Sequence, residues 1–314
     1  VLIVTGGAGF IGSNIVRGLN AAGRDDIVVV DDLTDGHKYT NLLECSIADY
    51  WDKDVFFARL KSLGEAPEAI LHQGACAVTT EWDGRYMMAE NFQYSVDLLR
   101  YCADSRVPLI YASSAAIYGA STAFSESDPA LERPLNVYGY SKCLFDRFVR
   151  RHFDSLSSQV VGLRYFNVYG PNEAHKGPMA SVVWHLSRQL QETGELRLFE
   201  GSHGYGDGEQ RRDFIYVDDV VNIVLWFLEH RSVGGIFNVG TGKSASFNDL
   251  AGAVVDYFGR GAIHYIPFPD RLKSSYQSFT EADIGALRAA GYAAPFDDIR
   301  SGVRKYLDAL KTRP

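Results

Sequence analysis

The sequence predicts an α/β protein, a doubly wound parallel sheet joined to a second, smaller α/β domain. Three observations carry that reading. Short β-branched runs alternate with longer amphipathic segments across the first half of the chain. A glycine-rich turn, Thr5-Gly6-Gly7-Ala8-Gly9-Phe10-Ile11-Gly12, follows the first run. An acid, Asp31, closes the second run about 20 residues later, the spacing of a dinucleotide-binding βαβ unit.

The elements follow in order. Val1–Thr5 reads as a strand, about Ile11 to Ala22 as an amphipathic helix, and Ile27–Asp31 as the second strand. Ala69–His72 and Pro108–Ala112 are short apolar runs typical of buried parallel strands, and Met87–Cys102 between them has helical periodicity. Val137–Phe153 reads as a helix and Val160–Phe166 as the strand after it. Beyond Gly170-Pro171 loops lengthen, and Gly201–Gly208 holds four glycines in eight residues. A strand-helix unit returns at Phe214–Glu229 and a strand at Gly235–Val239. The rest mixes helices (Phe247–Phe258, Ile299–Leu310) with short strands such as Ile263–Ile266. The expected division is therefore interleaved: residues 1–166 and 211–240 bind the dinucleotide, and residues 167–210 and 241–314 bind substrate.

A chain of 314 residues with 46% apolar and 22% charged residues has the composition of a globular protein. Its net charge of −8 argues against a nucleic-acid surface. No apolar run reaches the roughly 20 residues that span a bilayer. Val1–Thr5 reads directly as a strand rather than a leader, and dispersed free thiols suit a reducing cytoplasm. The four cysteines (Cys45, Cys76, Cys102, Cys143) and eight histidines follow no metal-ligand or disulfide spacing, which leaves no candidate metal site.

The glycines satisfy G-x-x-G-x-x-G through Gly6, Gly9 and Gly12, and they let backbone approach a pyrophosphate at a helix N-terminus. Asp31 is placed for an adenosine ribose hydroxyl. Lys38 is open to two readings: a cation for the extra phosphate of NADP, or a solvated loop lysine. Asp32 makes that phosphate less welcome. Tyr138 and Lys142 stand four residues apart and leave one helical face. A phenol titrates near 10, and an adjacent ammonium would draw it toward neutrality. Lys142 can also hold the nicotinamide ribose. Ser114 is expected at the end of the fourth strand, hydrogen-bonding the reacting hydroxyl. Ser113 is read as bonding the turn backbone, and Tyr140 as a packing or surface residue.

Thr5–Gly12, Ser113-Ser114-Ala115-Ala116-Ile117-Tyr118-Gly119 and Tyr138–Lys142 resemble the extended short-chain dehydrogenase/reductase family of nucleotide-sugar epimerases and dehydratases, built on the Rossmann fold. Gln73-Gly74-Ala75-Cys76, Thr79-Thr80-Glu81-Trp82-Asp83-Gly84, Arg164–Pro171, Ala174-His175-Lys176-Gly177 and Phe199-Glu200-Gly201-Ser202 are similar to its ADP-L-glycero-D-manno-heptose 6-epimerase branch. The resemblance implies hydride removal and return at C6 of an ADP-heptose through a 6-keto intermediate, for lipopolysaccharide inner-core assembly. It implies Tyr138 and Lys176 as the two acid/base groups, beside Ser114 and Lys142. Phe10, Ile11, Asp31, Asp32, Lys38, Lys53, Gln73, Gly74, Ala75, Cys76, Ala77, Lys142 and Val168 would then line the cofactor site, for NADP, with NAD as the alternative. Asn167, His185, Phe199, Glu200, Gly201, Ser202, Arg212 and Tyr276 would meet the nucleotide sugar, in a homo-oligomer expected to be a pentamer.

Several readings stay open. Arg212 could pair internally with Asp213, and His185 could be a satisfied core histidine. Asp32 stands for the usual asparagine and Pro178 for a serine, and the loop 203–211 is longer than usual. A UDP-hexose 4-epimerase or nucleotide-sugar dehydratase would use the same Ser/Tyr/Lys set. A non-catalytic dinucleotide-sensing module is the reading from a different class.

Overall fold

The computed structural model of the chain describes residues 1–269 and 276–312. They fall into two compact units: Val1–Ile117, Asn136–Arg164 and Val221–Phe237 in the first, and Tyr118–Leu135, Tyr165–Val220 and Asn238–Pro314 in the second. The division differs from the sequence boundaries at four places, the smaller two being residues 165–166 and 238–240, which lie in the second unit. Residues 118–135 leave the first unit, and residues 211–220 lie in the second. The expected substrate region 241–314 includes 270–275 and 313–314, which lie outside the described residues.

A seven-stranded sheet organises the first unit. Its strands are β1 (Leu2–Thr5), β2 (Ile27–Asp31), β3 (Asp49–Asp52), β4 (Ala69–His72), β5 (Leu109–Ser114), β6 (Val160–Tyr165) and β7 (Gly235–Val239), in the order β7-β6-β5-β4-β1-β2-β3. The pairs β1–β2, β2–β3, β1–β4 and β4–β5 are parallel, with Leu2 opposite both Ile27 and Ala69. Every residue of β1, β2 and β4 is buried, as an uninterrupted apolar strand covered on each face requires. β3 escaped the sequence reading because only Trp51 of its four residues is buried, so it presents no apolar run.

The strand order reverses at β1, which opens a crevice beyond the carboxyl ends of β1 and β4, the usual ligand position in such sheets. Two backbones meet there: a Cβ on Gly6 (φ +65°) would lie 2.6 Å from the Gly74 nitrogen. The helix expected over Met87–Cys102 is instead three segments, an α turn Gly84–Met87, a π segment Met88–Gln93 and an α-helix Tyr94–Ser105. Buried Asn91 in the π segment uses its amide to hold the loop after β4. It accepts from Cys76 N at 2.8 Å and donates to the Cys76 carbonyl at 3.0 Å.

The second unit pairs Asn167–Tyr169 with Phe214–Tyr216 and Glu195–Phe199 with Ala262–Ile266, both in parallel. Arg211–Arg212 runs antiparallel to Ala245–Ser246. Helices Val182–Thr193 and Phe247–Phe258 contribute buried Val183, Leu186, Leu190, Leu250 and Val254, and a capping box between Ser246 and Asp249 starts the second. No helix among the described residues is long and apolar enough to cross a membrane.

His72 at the end of β4 ties the first unit together. Ser95 Oγ donates to the Asn91 carbonyl (2.8 Å), so His72 Nε2 must donate to Ser95 Oγ (2.9 Å). His72 Nδ1 then accepts from Thr5 Oγ1 at 2.6 Å. Burial, helped by the Lys142 charge, takes this imidazole from 6.5 down to about 3. A depressed pKa means the unfolded chain binds the proton first. Stability from neutral His72 is therefore complete above pH 6.5 and is lost as pH falls from there toward about 3. The thermal midpoint should drop over that window, and His72→Gln, which gains no proton, should flatten the drop; an equally steep acid limb in the variant would contradict this.

Candidate active site

The residues expected to hold the cofactor, Val168 apart, lie in the first unit. The helix Phe10–Ala21 starts from Gly9 with no side-chain cap, and the N–H groups of Ile11 and Gly12 meet no acceptor among the described residues. Such a helix end attracts an anion. A Cβ on Gly12 would collide with the Gly6 carbonyl, and one on Gly9 would lie 3.1 Å from the same oxygen. The turn is thus a cradle of bare backbone, and it fits a dinucleotide pyrophosphate.

Asp31 is shared more widely than the sequence suggested. Its Oδ2 accepts from Ala8 N (2.7 Å), and its Oδ1 accepts from Asp32 N (2.7 Å) and Lys38 Nζ (2.6 Å). Lys38 is therefore no solvated loop lysine. Bonds from Thr34 hold the Asp32 carboxyl below its usual range, with Lys38 and Lys53 adding charge. Lys53 itself reaches Asp54 at 3.0 Å and Glu90 at 3.4 Å. Phe10 is buried, and Gln73, Gly74, Ala75, Cys76 and Ala77 follow β4 beside the glycine turn. Val168 stands apart from this group by chain position: it lies in Asn167–Tyr169 of the second unit.

Ser114 ends the fifth strand, not the fourth, because β3 adds one. Its Oγ accepts from Ala116 N at 3.1 Å and shares a hydrogen bond with the Tyr138 phenol. Tyr138 and Lys142 sit on the helix Val137–His152, which Asn136 starts by accepting from Gly139 N at 2.8 Å. The expectation that Lys142 draws the phenol down is not met. Burial pushes the Tyr138 phenol up and the Ser114 bond only partly offsets it. Lys142 Nζ instead donates to the Ala112 carbonyl at 2.9 Å. Burial takes Lys142 itself down to about 8, against the pull of Asp146. Ser113 does not bond the turn backbone. It donates to Asp146 Oδ2 at 2.9 Å. Tyr140 is 46% exposed, a surface residue.

The residues expected to meet substrate, and Lys176, lie in the second unit. Lys176 sits in the 3-10 turn Ala174–Met179, which also carries Gly177 at φ 52° and exposed Pro178. Burial lowers the Lys176 amine while Glu173 pulls it back up. Glu173 is buried and accepts from Ser181 N at 2.6 Å and Ser181 Oγ at 2.5 Å. Arg212 is buried, with Tyr276 stacked 4.8 Å from its guanidinium carbon. It does not pair with Asp213. That carboxylate is filled by Thr241 N and Oγ1 (2.8 Å each), Gly242 N (2.9 Å) and Ala282 N (3.0 Å). Among the described residues no carboxylate reaches Arg212, which leaves a buried cation fit for an anionic ligand.

Phe199 packs edge-on to Phe268 at 5.3 Å, and Phe268 does so to Tyr276 at 5.0 Å, forming an aromatic wall near Arg212. The long loop is tied down rather than loose: Gly201 N donates to Asp207 (2.8 Å), Gly208 N to the Phe199 carbonyl (3.0 Å), and Gln210 to Ser202 Oγ (3.1 Å). Glu200 is exposed, its N–H on the Ile266 carbonyl at 2.8 Å. Asn167 is exposed and accepts from Thr280 Oγ1 at 3.3 Å. His185 is half-buried on Val182–Thr193, so it is not a core histidine.

Sequence reasoning missed Asn91, Asp146 and Glu173. The first two had a signal, since a polar residue at a core-facing helical position needs a buried partner.

The profile of the NAD dependent epimerase/dehydratase family matches residues 2–240. The chain belongs to that family. It is 60% identical over 317 residues to an ADP-L-glycero-D-manno-heptose-6-epimerase of Alkalilimnicola ehrlichii, spanning 100% of this chain and 98% of that protein. The crystal structure of the Helicobacter pylori ADP-L-glycero-D-manno-heptose-6-epimerase superposes with a TM-score of 0.85 at 30% identity, covering 99% of this chain and 96% of that one. A Thermus thermophilus UDP-glucose 4-epimerase, crystallised with NAD, gives 0.81 at 27% identity, covering 100% and 99%.

Gly12→Ala should abolish dinucleotide binding in calorimetric titration while far-ultraviolet circular dichroism stays native. Retained binding would show that the cradle is not the pyrophosphate site.

Proposed function

We propose that the chain is an ADP-L-glycero-D-manno-heptose 6-epimerase. It interconverts ADP-D-glycero- and ADP-L-glycero-β-D-manno-heptose by inverting C6 through a 6-keto intermediate. The observation that carries this reading is a desolvated lysine, Lys176, present in addition to the Ser114, Tyr138 and Lys142 set. A planar ketone approached from two faces needs two proton carriers, whereas a 4-epimerase that turns its sugar over needs one. The 60% identity to the Alkalilimnicola ehrlichii enzyme supports the same substrate.

A bound nicotinamide would supply hydride removal and return at C6. The glycine turn would hold its pyrophosphate, Asp31 a ribose hydroxyl, and Lys142 the nicotinamide ribose. NADP is the proposed form, since Lys38 and Lys53 both act on Asp32 and bring two cations to the adenosine end. Lys38→Met should then weaken NADP more than NAD in a binding titration; equal losses would leave no phosphate contact to Lys38.

Burial moves Lys176 toward the neutral amine and keeps Tyr138 the neutral phenol. For the conversion of the D-glycero to the L-glycero epimer we assign Lys176 as the base and Tyr138 as the acid. Lys176 takes the C6 hydroxyl proton as that carbon is oxidised. Tyr138, oriented by Ser114, returns a proton to the oxygen when the carbon is reduced from the opposite face. In the reverse direction the roles exchange. Arg212 would hold the diphosphate, with Tyr276 and Phe199 on the nucleotide side. We place the enzyme in the cytoplasm as a homo-oligomer, a pentamer by family resemblance, serving the lipopolysaccharide inner core.

Incubation with ADP-D-glycero-D-manno-heptose, followed by NMR at C6, should yield both epimers. Tyr138→Phe should lower turnover by roughly 10²–10⁴-fold. Lys176→Met should abolish epimerisation with cofactor still bound. Unchanged turnover in Lys176→Met, or inversion at C4 of a UDP-hexose instead, would overturn the C6 reading.

A further inference from the structure

Asp146 is 0% exposed and lies one helical turn beyond Lys142 on Val137–His152. Three donors from two strands fill it. Oδ1 accepts from the Tyr111 hydroxyl at 2.9 Å, and Oδ2 accepts from Ser113 Oγ at 2.9 Å and Arg164 Nε at 2.8 Å. Tyr111 and Ser113 alternate along β5 and so project from one face. Arg164, on β6, is also 0% exposed. The next strand leaves room for this arrangement, since a Cβ on Gly162 would collide with the Tyr111 hydroxyl. One turn earlier Lys142 grips the same strand through the Ala112 carbonyl. The end of β5 that carries Ser114 is thus fastened to the helix that carries Tyr138 at two successive points.

We propose that Asp146 is a positioning residue for the reaction: it sets the register of β5 against the Tyr138–Lys142 helix, so that Ser114 meets Tyr138, and it places a carboxylate one helical turn from Lys142. The inference rests on the reading of Ser114, Tyr138 and Lys142 as the catalytic set. The charge half has a defined neighbourhood. Around Lys142 stand Asp146 on its own helix, Cys76 from the loop after β4, and His72 at the end of β4. Around Asp146 and Tyr111 stand Arg164 from β6 and Arg150 from the helix. Of these, Asp146 is the fixed anion, and Arg164 shares it. Removing its charge lets burial act on Lys142 with less opposition.

The test compares pH profiles of kcat and kcat/KM for Asp146→Asn and for Asp146→Asn/Arg164→Met, which removes both charges of the buried pair together. The alkaline limb attributed to loss of the Lys142 proton should move down by about half a pH unit or more, because burial already lowers that amine. The pH-independent kcat should fall roughly tenfold or more with KM little changed, as a displaced Ser114 requires. A limb that stays in place, or a kcat loss equal at every pH, would overturn the charge half. Full kcat would overturn the register half. Should neither variant fold, Tyr111→Phe and Ser113→Ala keep the ion pair and read the same register, with lowered kcat expected and parental kcat contradicting it. Full activity in Tyr138→Phe would instead sink the catalytic set itself, a result distinguishable from either.

Discussion

A carboxylate shut away from water must find its compensation inside the protein, and Asp146 finds it in Arg164, Tyr111 and Ser113. Removing one partner of such a buried pair typically costs about 3–5 kcal/mol, because the remaining charge has nowhere to go. That penalty makes the arrangement hard to deform. It joins β5, β6 and the helix Val137–His152 at the point where Ser114, Tyr138 and Lys142 come together. Precision at a site needs side chains whose own positions are over-determined. Here the over-determination is a filled carboxylate one helical turn from Lys142.

The second unit handles charge by the opposite rule. Arg212 and Asp213 are adjacent and buried, yet strand alternation sends their side chains to opposite faces. Asp213 is saturated by backbone N–H groups and Thr241, and so fixes the 241–242 turn and Ala282. Arg212 is left with ring faces in place of an acid. Buried Glu173 accepts from Ser181 and raises the Lys176 amine against the lowering effect of burial.

Much of the first unit was legible in the sequence, for reasons that the structure makes specific. β1, β2 and β4 are covered on each face and had to be uninterrupted apolar runs. The glycines of Thr5–Gly12 are forced by backbone contact with Gly74 and within the turn itself. The edge strand Asp49–Asp52 was not legible, since an edge with one buried residue carries no pattern. The π segment at Met88–Gln93 was hidden inside a good helical periodicity, and its purpose appears only with Asn91 against Cys76. The placement of 118–135 in the second unit depends on contacts far apart in sequence, such as the Tyr118 hydroxyl on Asn238 at 2.7 Å. The spacing of Tyr138 and Lys142 showed that they share a helix face. It could not show that the ammonium points at the Ala112 carbonyl.

The chemical core of the proposal is that C6 loses a hydride and regains the same one, with protons handled by the side chains alone. The most direct measurement uses ADP-heptose carrying deuterium at C6, incubated in ordinary water and followed by NMR. The inverted epimer should keep its deuterium in full over many turnovers. Loss of the label to solvent, or retention with no inversion at C6, would contradict hydride return and with it the assignment of Tyr138 and Lys176.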